Sequence, residues 1–125
     1  MSIQILVVDD DIMNCTIMVR ILKNLGYQAT SAESGEQALK LLANMPFDMV
    51  LMDCQMPECD GYTTTSMLRV TNQTVPVIAL TADSVKGTRE RCLESGMNDY
   101  LVKPVSIDLL KTSINKYFPE QSMPE

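Results

Sequence analysis

Short unbroken apolar runs alternate along this chain with stretches where apolar residues recur every third or fourth position. Ile5-Leu6-Val7-Val8, Met49-Val50-Leu51-Met52 and Val77-Ile78-Ala79-Leu80 are continuous and bounded by polar residues. Strands buried on both faces read this way. Tyr27-Gln28-Ala29-Thr30-Ser31 and Tyr100-Leu101-Val102 are weaker strand candidates. From about Ile12 to Leu25 a helical stripe runs through Ile12, Cys15, Val19 and Leu22, joined by Met18, Ile21 and Leu25, and Gly26 supplies its stop. Ser34 and Gln37 form a capping-box pattern ahead of Ala38, Leu39, Leu41 and Leu42, and Glu36 and Lys40 are ordered as an i,i+4 pair. Ser106 is placed to cap a last helix with Ile107, Leu110 and Ile114 on one face, which Pro119 ends. Two helices look poorer. The stretch after Asp60 carries Thr63, Thr64, Thr65 and Ser66, all weak helix formers, and the stretch from Val85 to Glu94 contains Gly87 and few apolar anchors. The second of these is the candidate mobile surface.

Five strands and five helices in strict alternation predict an α/β domain whose parallel sheet is covered on both faces by right-handed crossovers. Residues 1–119 make one domain, and Glu120 to Glu125 read as a frayed tail or linker. In such sheets chemistry gathers at the carboxyl ends of the strands.

Composition narrows that chemistry. The chain has 125 residues and a net charge of −6, which argues against a basic grip on nucleic acid and against docking to an anionic membrane. No run approaches the length of a membrane span, and no signal-peptide pattern opens the chain. Histidine is absent, which excludes Ser-His-Asp, Cys-His and His-ligated metal chemistry within these residues. Any phosphohistidine must belong to a partner. Cys15, Cys54, Cys59 and Cys92 complete no zinc pattern and read as reduced thiols of a cytoplasmic protein, with redox sensing at Cys54 the lesser alternative.

The strand ends deliver a specific set of groups. The first strand ends in Asp9-Asp10-Asp11, the third in Asp53, the fourth in Thr81-Ala82 and the fifth in Lys103-Pro104. Clustered carboxylates repel one another, and a cation relieves that repulsion. Oxygen donors without imidazole or thiolate favour a hard divalent ion, Mg²⁺ before Ca²⁺. Lys103 adds a fixed positive charge, Thr81 a hydroxyl and Ala82 a backbone amide. Metal, ammonium, hydroxyl and amide together describe a clamp for a phosphoryl group. A carboxylate can be the nucleophile, and Asp53, at the end of the middle strand, is the best placed. Each residue also has a plainer reading: Asp11 as a helix cap, Thr81 as a cap, Lys103 as a solvated charge and Tyr100 as a partly buried edge aromatic. Their coincidence at four strand exits is what points to a site.

These residues resemble the receiver domain of two-component response regulators over nearly the whole chain, from Ile3 to about Phe118. The resemblance rests on Val7-Val8-Asp9-Asp10-Asp11, Asp53-Cys54-Gln55-Met56-Pro57 followed by Asp60-Gly61, Ala79-Leu80-Thr81-Ala82, Gly96-Met97 and Tyr100-Leu101-Val102-Lys103-Pro104. It implies a doubly wound, flavodoxin-like (βα)5 sheet in the order 2-1-3-4-5. It implies Asp53 as phosphoacceptor, and a Mg²⁺ site of Asp10, Asp53, the Gln55 carbonyl and, partly through water, Asp9. It further implies Thr81, Ala82 and Lys103 on the phosphoryl oxygens, Thr81 and Tyr100 as the switch pair, and a cis Lys103-Pro104 bond. The Gln-Met-Pro wording after Asp53, with Asn14 in the first helix, is similar to receivers attached to hybrid histidine kinases. These residues contain no kinase core, phosphotransfer helix or DNA-binding domain, so they read as a stand-alone receiver or one excised from a longer protein.

The cycle so implied is transfer from a sensor histidine kinase or a histidine phosphotransfer protein, a shape change on the face of the Val85–Glu94 helix, the fifth strand and the last helix, and self-catalysed loss of phosphate. Gln55 and Asp83 flank the water path and are expected to set the lifetime, and a phosphorylation-dependent dimer is one expected output. Two other readings compete. A small haloacid-dehalogenase-like phosphatase would use Asp9 as nucleophile and Asp11 as acid/base, leaving Asp53 without a role. A mononucleotide binder would need amides and hydroxyls in the first βα turn, where this chain is acidic.

Overall fold

A computed structural model describes residues 3–54, 56, 60–71, 74–82 and 87–119. The chain runs β1 (Gln4–Val8), α1 (Ile12–Asn24), β2 (Gln28–Ala32), α2 (Gly35–Asn44), β3 (Met49–Asp53), α3 (Gly61–Thr71), β4 (Val77–Thr81), α4 (Thr88–Glu94), β5 (Asp99–Val102) and α5 (Ile107–Tyr117). All pairings are parallel and the order is β2-β1-β3-β4-β5. The expected sheet is therefore the observed one.

The three unbroken apolar runs are the three inner strands. Ile5 to Val8, Met49 to Met52 and Val77 to Leu80 are all buried. Alternate residues feed two separate cores. Leu6, Val8, Val50, Met52, Val77 and Ala79 pack under α2, α3 and α4. Ile5, Val7, Met49, Leu51, Ile78 and Leu80 pack under α1 and α5. Each fully buried large side chain contributes roughly 1.5–3 kcal/mol, so these strands supply most of the driving force for the layered fold.

Local signals set most element ends. Asp11 caps α1, its carboxylate accepting from the Met13 and Asn14 amides, and Gly26 takes φ 98° just past the helix. Ser34 caps α2 by accepting from the Gln37 amide at 3.0 Å. The Gln37 side chain returns to the Glu33 amide at 2.8 Å rather than to Ser34, so the expected reciprocal box closes one residue earlier. The Glu36–Lys40 pair forms at 3.9 Å on the open surface, where such pairs contribute little. Ser106 caps α5 through the Leu109 amide.

Several expectations shift. The second strand is displaced by one residue, to Gln28–Ala32, because the Tyr27 amide is used by the Leu22 carbonyl in closing α1. The α1 stripe buries Cys15 and Leu22, but Ile12 is 61% exposed, since the first turn lies at the edge of the sheet. Ile107, at the corresponding end of α5, is exposed as well. The fourth helix is described from Thr88, behind Gly87, to Glu94, and the expected start at Val85 lies outside the described residues. Residues 83–86 lie outside the described residues, as do Gln55, Cys59 and residues 120–125. The threonine-rich stretch after Asp60 forms an 11-residue helix. Thr64 and Thr65 are fully buried there, their hydroxyls donating to the Asp60 and Gly61 carbonyls at 3.0 and 2.8 Å. Satisfied hydroxyls and packed methyls override a weak propensity.

Candidate functional site

The register of the sheet assembles the carboxyl-edge residues. Val8 of β1 pairs with Met52 of β3, so Asp9 and Asp53 each follow a paired residue at the same level. Asp53 in turn sits level with Leu80 of β4, and Thr81 with Val102 of β5. The Lys103 amide donates to the Thr81 carbonyl at 2.7 Å, which extends the ladder to the lysine. Side-chain parity then sorts the groups. Asp9, Asp53 and Lys103 continue the parity of Val7, Leu51 and Leu101, which face α1 and α5. Thr81 continues the parity of Ala79, on the side of α2, α3 and α4.

The resulting geometry is compact. One carboxylate oxygen each from Asp9, Asp10 and Asp53 lies within 4.8 Å of the others. Lys103 Nζ is 3.1 Å from Asp53 Oδ1 and 3.7 Å from Asp9 Oδ2. Asp9 is 4% exposed and Asp53 2% exposed, whereas Asp10 opens to solvent. Asp9 Oδ1 also accepts from the Asp11 amide at 2.9 Å, and the Cys15 thiol donates to the Asp9 carbonyl at 3.2 Å. Among the described residues, two buried carboxylates, a third at the rim and a single ammonium leave an excess of negative charge. Such a cluster of hard oxygens fits a small divalent cation, and Mg²⁺ suits it by donor type.

The other expected site residues fall as follows. Thr81 is buried at the end of β4 and Ala82 is exposed beside it. Tyr100 is half-buried, packs on the α2–α4 core and sits level with Ala79. Thr81 and Tyr100 thus share one face of the sheet as diagonal neighbours on adjacent strands, at the separation an aromatic side chain can span. Gln55 and Asp83 lie outside the described residues. The Lys103-Pro104 bond is cis. Asp11 is the exposed cap of α1, with both its amide donors supplied by the helix it starts, so it is spoken for structurally.

The three described thiols are poorly suited to sensing. Cys15, Cys54 and Cys92 are buried and free. Burial is the largest influence on each, pushing Cys15 up to about 11 and Cys54 up to about 12, and raising Cys92 as well. They stay protonated and weakly nucleophilic near neutrality.

The sequence reading quoted Gly61 only as part of a motif, without its packing role, and did not single out Arg69. A β-carbon on Gly61 would meet the Asp53 carbonyl oxygen and come within 2.9 Å of the Met52 side chain and 3.0 Å of Cys54 Cα. Only glycine lets α3 start against the end of β3. Arg69 of α3 donates from Nε to the Gly96 carbonyl at 2.9 Å and from Nη2 to Asn98 Oδ1 at 2.9 Å, tying α3 to the turn before β5. The Gly after Asp60 was a visible signal for the first. No local pattern marks the second.

Comparison with known proteins agrees with this geometry. Residues 5–115 match the response regulator receiver domain family, and the chain belongs to it. The Escherichia coli sensor histidine kinase RcsC is 42% identical over 116 residues, covering 93% of this chain and 12% of that protein. The chain spans about a quarter or less of the curated relatives it matches. Among solved structures, the receiver domain of sensor histidine kinase PA1611 from Pseudomonas aeruginosa, with magnesium coordinated in its active-site cleft, superposes with a TM-score of 0.86 at 38% identity, covering 95% of this chain and 99% of that one. The receiver domain of Saccharomyces cerevisiae Ssk1, solved with the histidine phosphotransfer protein Ypd1, gives a TM-score of 0.88 at 25% identity, covering 99% and 94%. The chain is thus a receiver domain of two-component and phosphorelay signalling, and the phosphatase and mononucleotide readings give way to it. Among the described residues no helix is long and apolar enough to cross a membrane.

Proposed function

We propose that this domain takes a phosphoryl group onto Asp53 from a phosphohistidine on a sensor kinase or a histidine phosphotransfer protein. The observation that carries this is the position of the Asp53 carboxylate: buried, 3.1 Å from the Lys103 ammonium and clustered with Asp9 and Asp10. An Asp53 oxygen attacks phosphorus, the phosphorus–nitrogen bond to the partner's imidazole breaks, and the imidazole leaves with the electron pair. Water later attacks the same phosphorus, the bond to Asp53 breaks, and inorganic phosphate departs. Asp9, Asp10, Asp53 and the Gln55 carbonyl would hold Mg²⁺, which when bound neutralises charge on the phosphoryl oxygens. Lys103 pairs with one oxygen of the new group, and Thr81 and the Ala82 amide receive others. As Thr81 turns inward, Tyr100 takes up the space it leaves. Gln55 and Asp83 set how readily water reaches the phosphorus.

The donor's docking place is supported by α1. Ile12, Met13 and Ile17 are exposed there, beside a cavity of about 350 Å³ floored by Val7 and Leu80 and opening next to Asp9 and Lys103. An apolar helical surface around a phosphohistidine fits that side. The readout face is α4, β5 and α5, where Leu93, Val102 and Leu109 are exposed for a partner or a second copy of the chain. The net charge of −6 supports protein partners over nucleic acid or membrane, and three buried free thiols support a cytoplasmic setting.

Incubation with acetyl phosphate and Mg²⁺, followed by peptide mass spectrometry, tests the assignment. Modification is expected at Asp53, lost in Asp53→Asn and kept in Asp11→Ala. Undiminished labelling of Asp53→Asn, or steady turnover of ordinary phosphoesters through Asp9, overturns it.

A further inference from the structure

Helices α1 and α5 cover the same face of the sheet, and a cavity of about 350 Å³ lies between α1 and the segment that leads into α5. Val7 and Leu80, both buried strand residues, form its floor. Ile17 and Ile21 of α1 line one side, and Val105, just ahead of α5, lines the other. Asn14 of α1 lines it as well, seven helix residues before Ile21. The lining therefore extends roughly 10 Å along α1. A cavity of this volume falls in the range that holds a small ligand.

Its polar groups gather at one end. Asp9 and Lys103 follow β1 and β5 at the carboxyl edge of the sheet, and Asn14 lies in the first turn of α1. The other lining residues are apolar. Asp9 is 4% exposed; its Oδ1 accepts from the Asp11 amide and its Oδ2 stands 3.7 Å from Lys103 Nζ. An ionised carboxylate accepts at about four positions, so Asp9 has room for a further donor. Lys103 lies closer to Asp53, at 3.1 Å, and shares its charge between the two carboxylates. A positive group at this end relieves the local excess of negative charge, and a negative one adds to it. The apolar remainder of the cavity favours a hydrocarbon body. The two ends together select a molecule with one cationic head and an apolar stem.

We propose that the cavity between α1 and α5 binds a small amphiphilic monocation, a primary ammonium or amidinium on a short apolar stem. The head donates to Asp9 Oδ2 and to the side-chain oxygen of Asn14, and the stem lies on Val7 and Leu80. This binding does not depend on Asp53 being a phosphoacceptor. It has one consequence for the proposed function: if Asp9 also helps to hold Mg²⁺, the amphiphile and the metal compete. That consequence rests on the metal reading given above. Amines of this class then slow phosphorylation without touching Asp53.

The test titrates the full chain with hexylamine near neutral pH without Mg²⁺, following backbone amides by NMR. Hexanol, hexanoate and methylamine serve as controls. Hexylamine is expected to shift the amides of Val7, Ile17, Leu80 and Val105 in one saturable step. Hexanol should bind about tenfold more weakly, the share of a hydrogen bond to a charged group. Hexanoate and methylamine should leave those amides in place. Pentylamine should bind about fourfold more weakly than hexylamine, the share of one buried methylene. Asp9→Asn should bring hexylamine to the level of hexanol, and Val105→Phe, which fills the slot, should weaken both. Hexanol or hexanoate binding as tightly as hexylamine overturns the proposal, as do shifts confined to exposed carboxylates such as Asp10 and Asp11. A second titration holds Mg²⁺ at about ten times its own half-saturating concentration, which should raise half-saturation by hexylamine about tenfold. Hexylamine binding that bound Mg²⁺ leaves unchanged overturns the shared use of Asp9. A chain with no response to Mg²⁺ removes the metal reading alone, and the hexylamine shifts still decide the cavity.

Discussion

Helices α1 and α4 both leave strand ends that carry site residues, yet they are secured by opposite means. Helix α1 has 13 residues, an aspartate cap with two amide donors and a buried leucine, Leu22. Helix α4 has 7 residues, a left-handed glycine in place of a capping side chain, and only Thr88 and Cys92 buried. Two turns are too few for a helix to persist by its own hydrogen bonds, so α4 keeps its shape through its neighbours. The contrast matches the two tasks. Beside α1 stand Asp9 and Asp10, which under the proposed function must keep a fixed separation to share a cation. Beside α4 lies the face proposed to be read by a partner, and in that role it is useful only if its position can change.

Four outcomes sharpen or break this contrast, and core truncation gives the largest. Leu22→Ala should cost about 2–5 kcal/mol by denaturant unfolding, whereas Leu93→Ala, on the open side of α4, should stay within about 0.5 kcal/mol. Equal costs would mean that α4 is anchored as firmly as α1. Next is Gly61→Ala, which should cost about 1–3 kcal/mol by overpacking and slow phosphoryl incorporation from acetyl phosphate, because the new methyl presses on the Asp53 backbone. An unchanged incorporation rate would show that β3 tolerates displacement.

Removing the α1 cap comes third. Asp11→Ala should lower stability by about 1 kcal/mol and speed amide exchange in the first turn of α1, while leaving labelling of Asp53 intact. Loss of labelling would make Asp11 part of the chemistry. The smallest effect lies at high pH. Cys54 and Cys15 are shifted from the ordinary value of 9.0 up to about 12 and about 11 by burial. The folded chain holds these protons where the unfolded chain releases them. Their contribution to stability is therefore complete below pH 9 and lost as pH rises through 11 to 12. Cys54→Ala should flatten the alkaline fall of the unfolding midpoint, and Cys15→Ala should do so over a narrower pH range. A midpoint that falls identically in both variants and the wild type would remove the thiols as its cause.

Much of the site could be read from sequence because it is built from strand exits. A buried parallel strand announces itself as an unbroken apolar run, and the residue that follows it lands on the carboxyl edge whatever the rest of the fold does. Asp9, Asp10, Asp53, Thr81 and Lys103 were each found in this way. Ile12 and Ile107 were misjudged for a related reason: they keep the helical period of their buried neighbours but sit at helix starts, where the sheet has ended. The α3 threonines misled in the opposite direction, since propensity cannot register that Thr64 and Thr65 are buried with satisfied hydroxyls.

The sequence by itself determined the alternation of elements, the helix caps at Asp11, Ser34 and Ser106, and the identity of the groups at the sheet edge. All of these follow from side-chain periodicity and from hydrogen bonds between residues a few positions apart. Only the tertiary structure decided that Lys103 stands 3.1 Å from a carboxylate 50 residues away, that Gly61 must lack a side chain, and that the Arg91 guanidinium of α4 lies over the Tyr62 ring of α3. Those facts depend on register and close packing between segments distant in the chain, and nothing in a local pattern specifies them.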